Sequence, residues 1–108
     1  MAAKNMNTEQ FHRAMNENRL PVLVEYWAPW CVYCRRIGPA LDALEQKYQD
    51  NLIIAKINID EEPVLAAQER IRVVPTLALY QDGAALGSIK APGSRAEIEE
   101  FIRQELDL

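Results

Sequence analysis

Cysteine is scarce in this 108-residue sequence, and the two cysteines present, Cys31 and Cys34, stand three apart. Two are too few for a secreted domain stapled by a disulfide framework. No apolar run approaches the ~20 residues of a membrane-spanning helix. The N-terminal MAAKNMNTEQFHR lacks the apolar stretch of a secretory signal. Unless a leader has been removed, the protein is expected to be cytoplasmic, with no membrane partner. Positive charge is in deficit: 12 Lys+Arg against 16 Asp+Glu leave a formal charge of −4, and no basic cluster exceeds Arg35–Arg36. A nucleic-acid partner is therefore not expected. The single histidine, His12, reads as a helix-surface residue. The four glycines and six prolines nowhere gather into a linker, and no repeat or low-complexity tract interrupts the chain. Residues 1–108 are expected to form a single domain, and nothing in the pattern demands more than a monomer.

What remains is an ordinary globular composition, 49% apolar and 26% charged, in a chain long enough to build a core without staples. Residues 3–6 read as a weak edge strand, and 8–17 as a helix with Thr8 at its cap. The run PVLVEYWA (21–28) is nearly all apolar and rich in β-branched and aromatic residues, as in a strand covered on both faces. Ile37, Leu41, Leu44 and Tyr48 then recur at helical spacing, predicting a helix over 32–49 with Pro39 kinking it. LIIAKIN (52–58) reads as a buried strand, 62–70 as a short helix and TLALYQ (76–81) as a third strand. Asp82-Gly83 predicts a hairpin into a last strand, 84–90. Ser94 with Glu97 forms a capping box for a final helix whose stripe is Ile98, Phe101, Ile102 and Leu106. Glu61–Glu62 and Glu97, Glu99 and Glu100 fall near helix starts, where the dipole favours acids. The order (β)-α-β-α-β-α-β-β-α implies an α/β sandwich with a mixed sheet.

The chemistry concentrates at WAPWCVYC (27–34), where a buried strand gives way to a helix. In a reducing compartment two close cysteines signal redox cycling or metal binding, and Cys-x-x-Cys at a strand-to-helix junction is the redox form. The free amides and positive end of the helix favour an anion, so Cys31 is the expected thiolate nucleophile. Cys34, one turn later, is placed to resolve a mixed disulfide formed there.

These residues resemble the thioredoxin family over nearly the whole chain. WAPWCVYC is similar to the family's W-A-x-W-C-G-P-C, Pro39 to its helix-kinking proline, and AKINID (55–60) to the strand that follows. Val74-Pro75-Thr76 resembles the cis-proline segment, and EIEEFI the final helix. The resemblance implies a three-layer thioredoxin fold, a central mixed sheet of four to five strands flanked by four helices. It also implies reduction of protein disulfides through a reversible Cys31–Cys34 disulfide, with no bound cofactor. Electrons would come from NADPH through a thioredoxin reductase, making that enzyme a partner alongside disulfide substrates.

Glu25 falls where the family buries an acid that exchanges protons with the resolving cysteine. A carboxyl amid Val22–Trp27 should have a raised pKa. Lys56 falls where the family keeps a lysine near that acid, although it also reads as a lysine snorkelling to the surface. Trp30, Val74, a cis Pro75 and Ala91 would form the substrate-binding surface, with Trp27 in the core.

The sequence departs from the family pattern in three places. Val32-Tyr33 replaces Gly-Pro between the cysteines, which bears on the reduction potential; Tyr33 alone echoes the C-P-Y-C of glutaredoxins. Ala91-Pro92-Gly93 stands where a glycine faces the site, and the first strand lacks apolar alternation. Three alternatives accompany the main reading. One is a glutathione-linked or more oxidising disulfide oxidoreductase. Another is a redox-inactive thioredoxin-like binding subunit. The third is a metal or iron–sulfur module, for which a single Cys-x-x-Cys supplies half of a four-ligand site.

Overall fold

A computed structural model describes residues 3–17 and 19–108. The chain runs β1 (Lys4–Asn5), α1 (Thr8–Glu17), β2 (Val22–Trp27), α2 (Val32–Arg36), α3 (Gly38–Lys47), β3 (Ile53–Asn58), α4 (Pro63–Gln68), β4 (Thr76–Gln81), β5 (Ala84–Lys90) and α5 (Arg95–Leu106). The sheet order is β1-β3-β2-β4-β5. β1, β3 and β2 are parallel, and β4 and β5 follow antiparallel. This is the mixed sheet that the strand pattern predicts.

Alternation of side chains along the strands splits the core into two layers. Leu23, Ile54, Leu77 and Leu79 point to one face, where Leu41 and Leu44 of α3 and Ile98 and Ile102 of α5 cover them. Val22, Val24, Tyr26, Ile57 and Ala78 point to the other, against Phe11 and Ala14 of α1 and Leu65 of α4. β2 has both faces covered and a strand on each side, which explains its unbroken apolar sequence.

The structure revises three local expectations. The helix predicted over 32–49 is broken: α2 ends at Arg36, and Ile37 (φ −86°, ψ −4°) joins it to α3. Pro39 lies in the first turn of α3, where its missing N–H costs nothing. Counted as one bent helix, α2–α3 leaves the four flanking helices of the expected fold. At α1 the cap is Asn7, not Thr8. The Asn7 side chain accepts from the Gln10 N–H at 2.8 Å and Gln10 returns the bond to the Asn7 N–H at 2.8 Å, a reciprocal capping box. The Thr8 N–H and hydroxyl both go to the Glu62 carboxylate (2.7 and 2.8 Å). Glu62 thus serves the N-terminus of α1, although it stands at the start of α4. At α5, Ser94 accepts from the Glu97 N–H (3.1 Å), while the Glu97 carboxylate reaches Gly93 rather than closing the box on Ser94. The hairpin forms at Asp82-Gly83 with both residues left-handed (φ 54° and 80°), as a type I′ turn requires.

Candidate active site

The cysteines sit where β2 ends and α2 begins, and β3 and β4 flank β2 at that end. Ligand sites of α/β sheets favour this position, beyond the strand ends where the chain's connections diverge. The Cys31 N–H donates to the Ala28 carbonyl (3.0 Å), a turn that brings the chain out of the sheet. Cys31 is then the N-cap of α2, and its sulfur accepts from the Cys34 N–H at 3.1 Å. A thiolate at this sulfur would receive the same amide. Cys31 and Cys34 form a disulfide with Cα atoms 5.3 Å apart, well within bridging range. Both are nearly covered, 7% and 4% exposed. Trp27, Tyr33, Ile59 and Val74 pack around them.

Three chain segments wall the pair. On one side Trp30 is 64% exposed, and its indole N–H donates to Asp60 (3.4 Å). On another, the Val74–Pro75 peptide is cis, with Val73 exposed before it. Between that segment and α5, the Ala91 N–H donates to the Pro75 carbonyl (2.9 Å), and Ala91 is left-handed at φ 43°. The backbone there takes a form that glycine adopts most easily, yet alanine occupies it. Tyr33 closes the third side, its hydroxyl donating to the Pro92 carbonyl at 2.6 Å.

Glu25 lies on β2 between Lys56 of β3 and Leu77 of β4. It is 2% exposed, and one of its carboxyl oxygens is buried without a hydrogen-bond partner. Burial pushes its pKa up to about 7; the Lys56 charge works against that rise and Asp42 adds to it. The Lys56 ammonium lies over the Trp27 ring, 4.9 Å from its centre, rather than in an ion pair with Glu25. Trp27 also donates to Asn5 (3.1 Å). Lys56 is half-buried, its stem in the sheet and its head on an aromatic face.

The structure thus brings Cys31, Cys34, Trp30, Val74, Pro75 and Ala91 to one end of the sheet, with Glu25 and Lys56 in the strands beneath. His12, Arg35 and Arg36 are exposed. Sequence reasoning missed the Tyr33–Pro92 and Trp30–Asp60 contacts, which join residues 59 and 30 apart along the chain. The bulk of Tyr33 beside the sulfurs was the only available signal for the first, and none marked the second. Among the described residues, no group of three or more His, Cys, Asp or Glu is placed to hold a metal ion. No described helix is long and apolar enough to cross a membrane.

Comparison with known proteins agrees with this geometry. The family model described as Thioredoxin matches residues 2–104. The chain is 32% identical over 104 residues to a thioredoxin of Porphyra purpurea, covering 96% of this chain and 97% of that one. It is 40% identical over 79 residues to thioredoxin 1 of Synechococcus elongatus, covering 73% and 74%. Against the chloroplastic M-type thioredoxin of Chlamydomonas reinhardtii it is 34% identical over 102 residues, 94% of this chain and 73% of that protein. With a Cys-x-x-Cys disulfide at the end of the central strand, in a five-stranded mixed sheet, the chain belongs to the thioredoxin family of dithiol–disulfide oxidoreductases.

Proposed function

We propose that the protein reduces disulfides of other proteins through Cys31 and Cys34. Cys31 acts as nucleophile: its thiolate attacks one sulfur of a substrate disulfide, forming a mixed disulfide and releasing the other substrate sulfur as a thiolate. Cys34 then loses its proton to the Glu25 carboxylate and attacks the Cys31 sulfur. That step releases the second substrate thiol and leaves the Cys31–Cys34 disulfide. Two electrons have passed to the substrate, whose disulfide has become a dithiol. The observation that supports the polarity is the Cys34 N–H donated to the Cys31 sulfur, because a hydrogen bond to the charged form favours it.

In the same reading Lys56 tunes Glu25 through its charge. Trp30, Val74, cis-Pro75 and Ala91 form the surface against which a substrate segment docks. Residues 1–108 act as one domain, a cytoplasmic monomer with no nucleic-acid partner. The electrons that restore the dithiol come from NADPH through a thioredoxin reductase.

Trapping tests the assignment. Cys34→Ser should accumulate a stable mixed disulfide with an added disulfide protein, and Cys31→Ser should form none. Adduct formation by Cys31→Ser alone would reverse the two roles. Turnover with glutathione and glutathione reductase, and none with thioredoxin reductase, would replace the electron source with glutathione.

A further inference from the structure

Beside the docking surface, a groove of about 220 Å³ runs along β4 and β5 on the face that α1 and α4 cover elsewhere, bounded by the end of α4. Three of its lining residues are cations: Arg70 and Arg72 between α4 and β4, and Lys90 at the end of β5. All three are exposed, and none enters a salt bridge among the described residues. The groove's one acid, Glu69, accepts from the Tyr80 hydroxyl at 2.8 Å. In a chain with a net charge of −4, this is a local reversal of sign.

Arg70 is held there by the backbone. α4 ends with the Ile71 N–H on the Ala66 carbonyl (2.9 Å) and the Arg70 N–H on Ala67 (3.1 Å), a Schellman motif with Arg70 at its left-handed position. Its φ is 60°, a conformation that glycine would take without steric cost. A long cation stands in glycine's usual place.

One end of the groove lies next to the cis-proline segment in the chain. Lys90 pairs with Thr76 across the β4–β5 ladder, directly after cis-Pro75, and Arg72 lies two residues before Val74, which packs against the cysteines. From Thr76 to Tyr80 the groove follows five residues of strand, four steps or about 13 Å at ~3.3 Å per step. An extended substrate segment leaving the cis-proline edge would enter it.

Resting on the oxidoreductase reading above, we propose that this groove selects substrates by charge. Arg70, Arg72 and Lys90 receive an acidic stretch of polypeptide within roughly four to six residues of the substrate disulfide. The cations contribute to docking and take no part in the exchange itself.

The test uses two synthetic peptides with one internal disulfide each, identical except for a flank of four Glu or four Gln. The reduced protein is mixed with each and the rate of peptide reduction is followed. At low salt the Glu peptide should react about tenfold faster. In 1 M NaCl, where the screening length is about 3 Å, the advantage should fall below twofold. In the triple variant Arg70→Gly, Arg72→Gln, Lys90→Gln it should vanish at all salt concentrations, while the Gln peptide keeps its wild-type rate. Equal rates for both peptides in the wild type would overturn the proposal, as would a preference that survives the triple variant. Equal slowing of both peptides in that variant would instead assign the cations a structural role, and the melting temperature, expected unchanged, checks this. Failure of the wild type to reduce either peptide would strike at the oxidoreductase reading instead.

Discussion

The Tyr33 hydroxyl donates to the Pro92 carbonyl across 2.6 Å, tying the first turn of α2 to the loop before α5. The ring packs against both the cysteine cluster and the α3–α5 core. The residue that distinguishes this Cys-x-x-Cys is therefore a structural cross-brace as well as a neighbour of the sulfurs. Tyr33→Phe keeps the ring and removes the bond. A net loss of about 1 kcal/mol is expected, seen as a fall of about 4–8 °C in melting temperature. A melting temperature within a degree of wild type would mean that the bond contributes nothing.

Glu25 sets a pH dependence of stability whose sign follows from its raised pKa, about 7 against an ordinary 4.5. Below pH 4.5 both folded and unfolded chains hold the proton, and no penalty applies. Between 4.5 and 7 the unfolded chain releases it first, so stability falls as pH rises. Above 7 the loss is complete, about 3 kcal/mol at ~1.4 kcal/mol per pKa unit. Urea unfolding from pH 4 to 8 should show this decline in the oxidised protein, whose disulfide keeps the two cysteines from titrating, and Glu25→Gln should remove most of it. A slope unchanged in Glu25→Gln would assign the decline to other groups.

The same group should shape the kinetics of resolution. In the proposed mechanism its carboxylate form accepts the Cys34 proton, so release of the mixed disulfide should accelerate as pH rises through about 7. In Glu25→Gln that inflection should disappear and the step should slow by about 10²–10⁴-fold. Stopped-flow release of a trapped substrate thiol reads both.

On the opposite face of the sheet, the phenol oxygens of Tyr26 and Tyr80 lie 2.7 Å apart, and Tyr80 donates onward to Glu69. Burial raises the pKa of both phenols, so they stay neutral across the working range. Tyr80→Phe strands the buried Tyr26 hydroxyl and should cost about 1–3 kcal/mol. Tyr26→Phe leaves the Tyr80–Glu69 bond in place and should cost less. Denaturant midpoints of the two variants, compared directly, test the ordering; equal midpoints would refute it.

Trp30 offers the contrasting case. Its ring is largely exposed and its one hydrogen bond is long, so Trp30→Ala should leave stability within about 0.5 kcal/mol of wild type. The expected change is a higher KM for a protein disulfide. Unaltered kinetics would remove Trp30 from the docking surface.

How far the sequence foretold this molecule depended on how local each signal was. β2 and β3 were legible because burial on both faces leaves an apolar run that no other element explains. The hairpin was legible because Asp-Gly supplies its two left-handed residues. The break after α2 was not, because Ile37 at the junction keeps helical spacing with Leu41 and Leu44 beyond it. The Asn7 cap was missed because Thr8, an equally good cap by type, was claimed by Glu62, 54 residues away. In the site, the cysteines were marked by their type and spacing, whereas Glu25 and Pro75 were picked out through the resemblance to the thioredoxin family. Bonds between distant segments, such as Tyr33 to Pro92, have no local pattern to announce them.

That separation in sequence governs when the walls around the couple are completed. A chain made from its N-terminus presents residues 27–34 well before residues 91–92 exist. Until β5 and α5 dock, Tyr33 has no carbonyl to hold and the cis-proline edge has no Ala91 N–H to brace it. The nascent motif is therefore a thiol pair open on two sides. The walls at Pro92 and Ala91 thus arrive with the last quarter of the chain, β5 and α5.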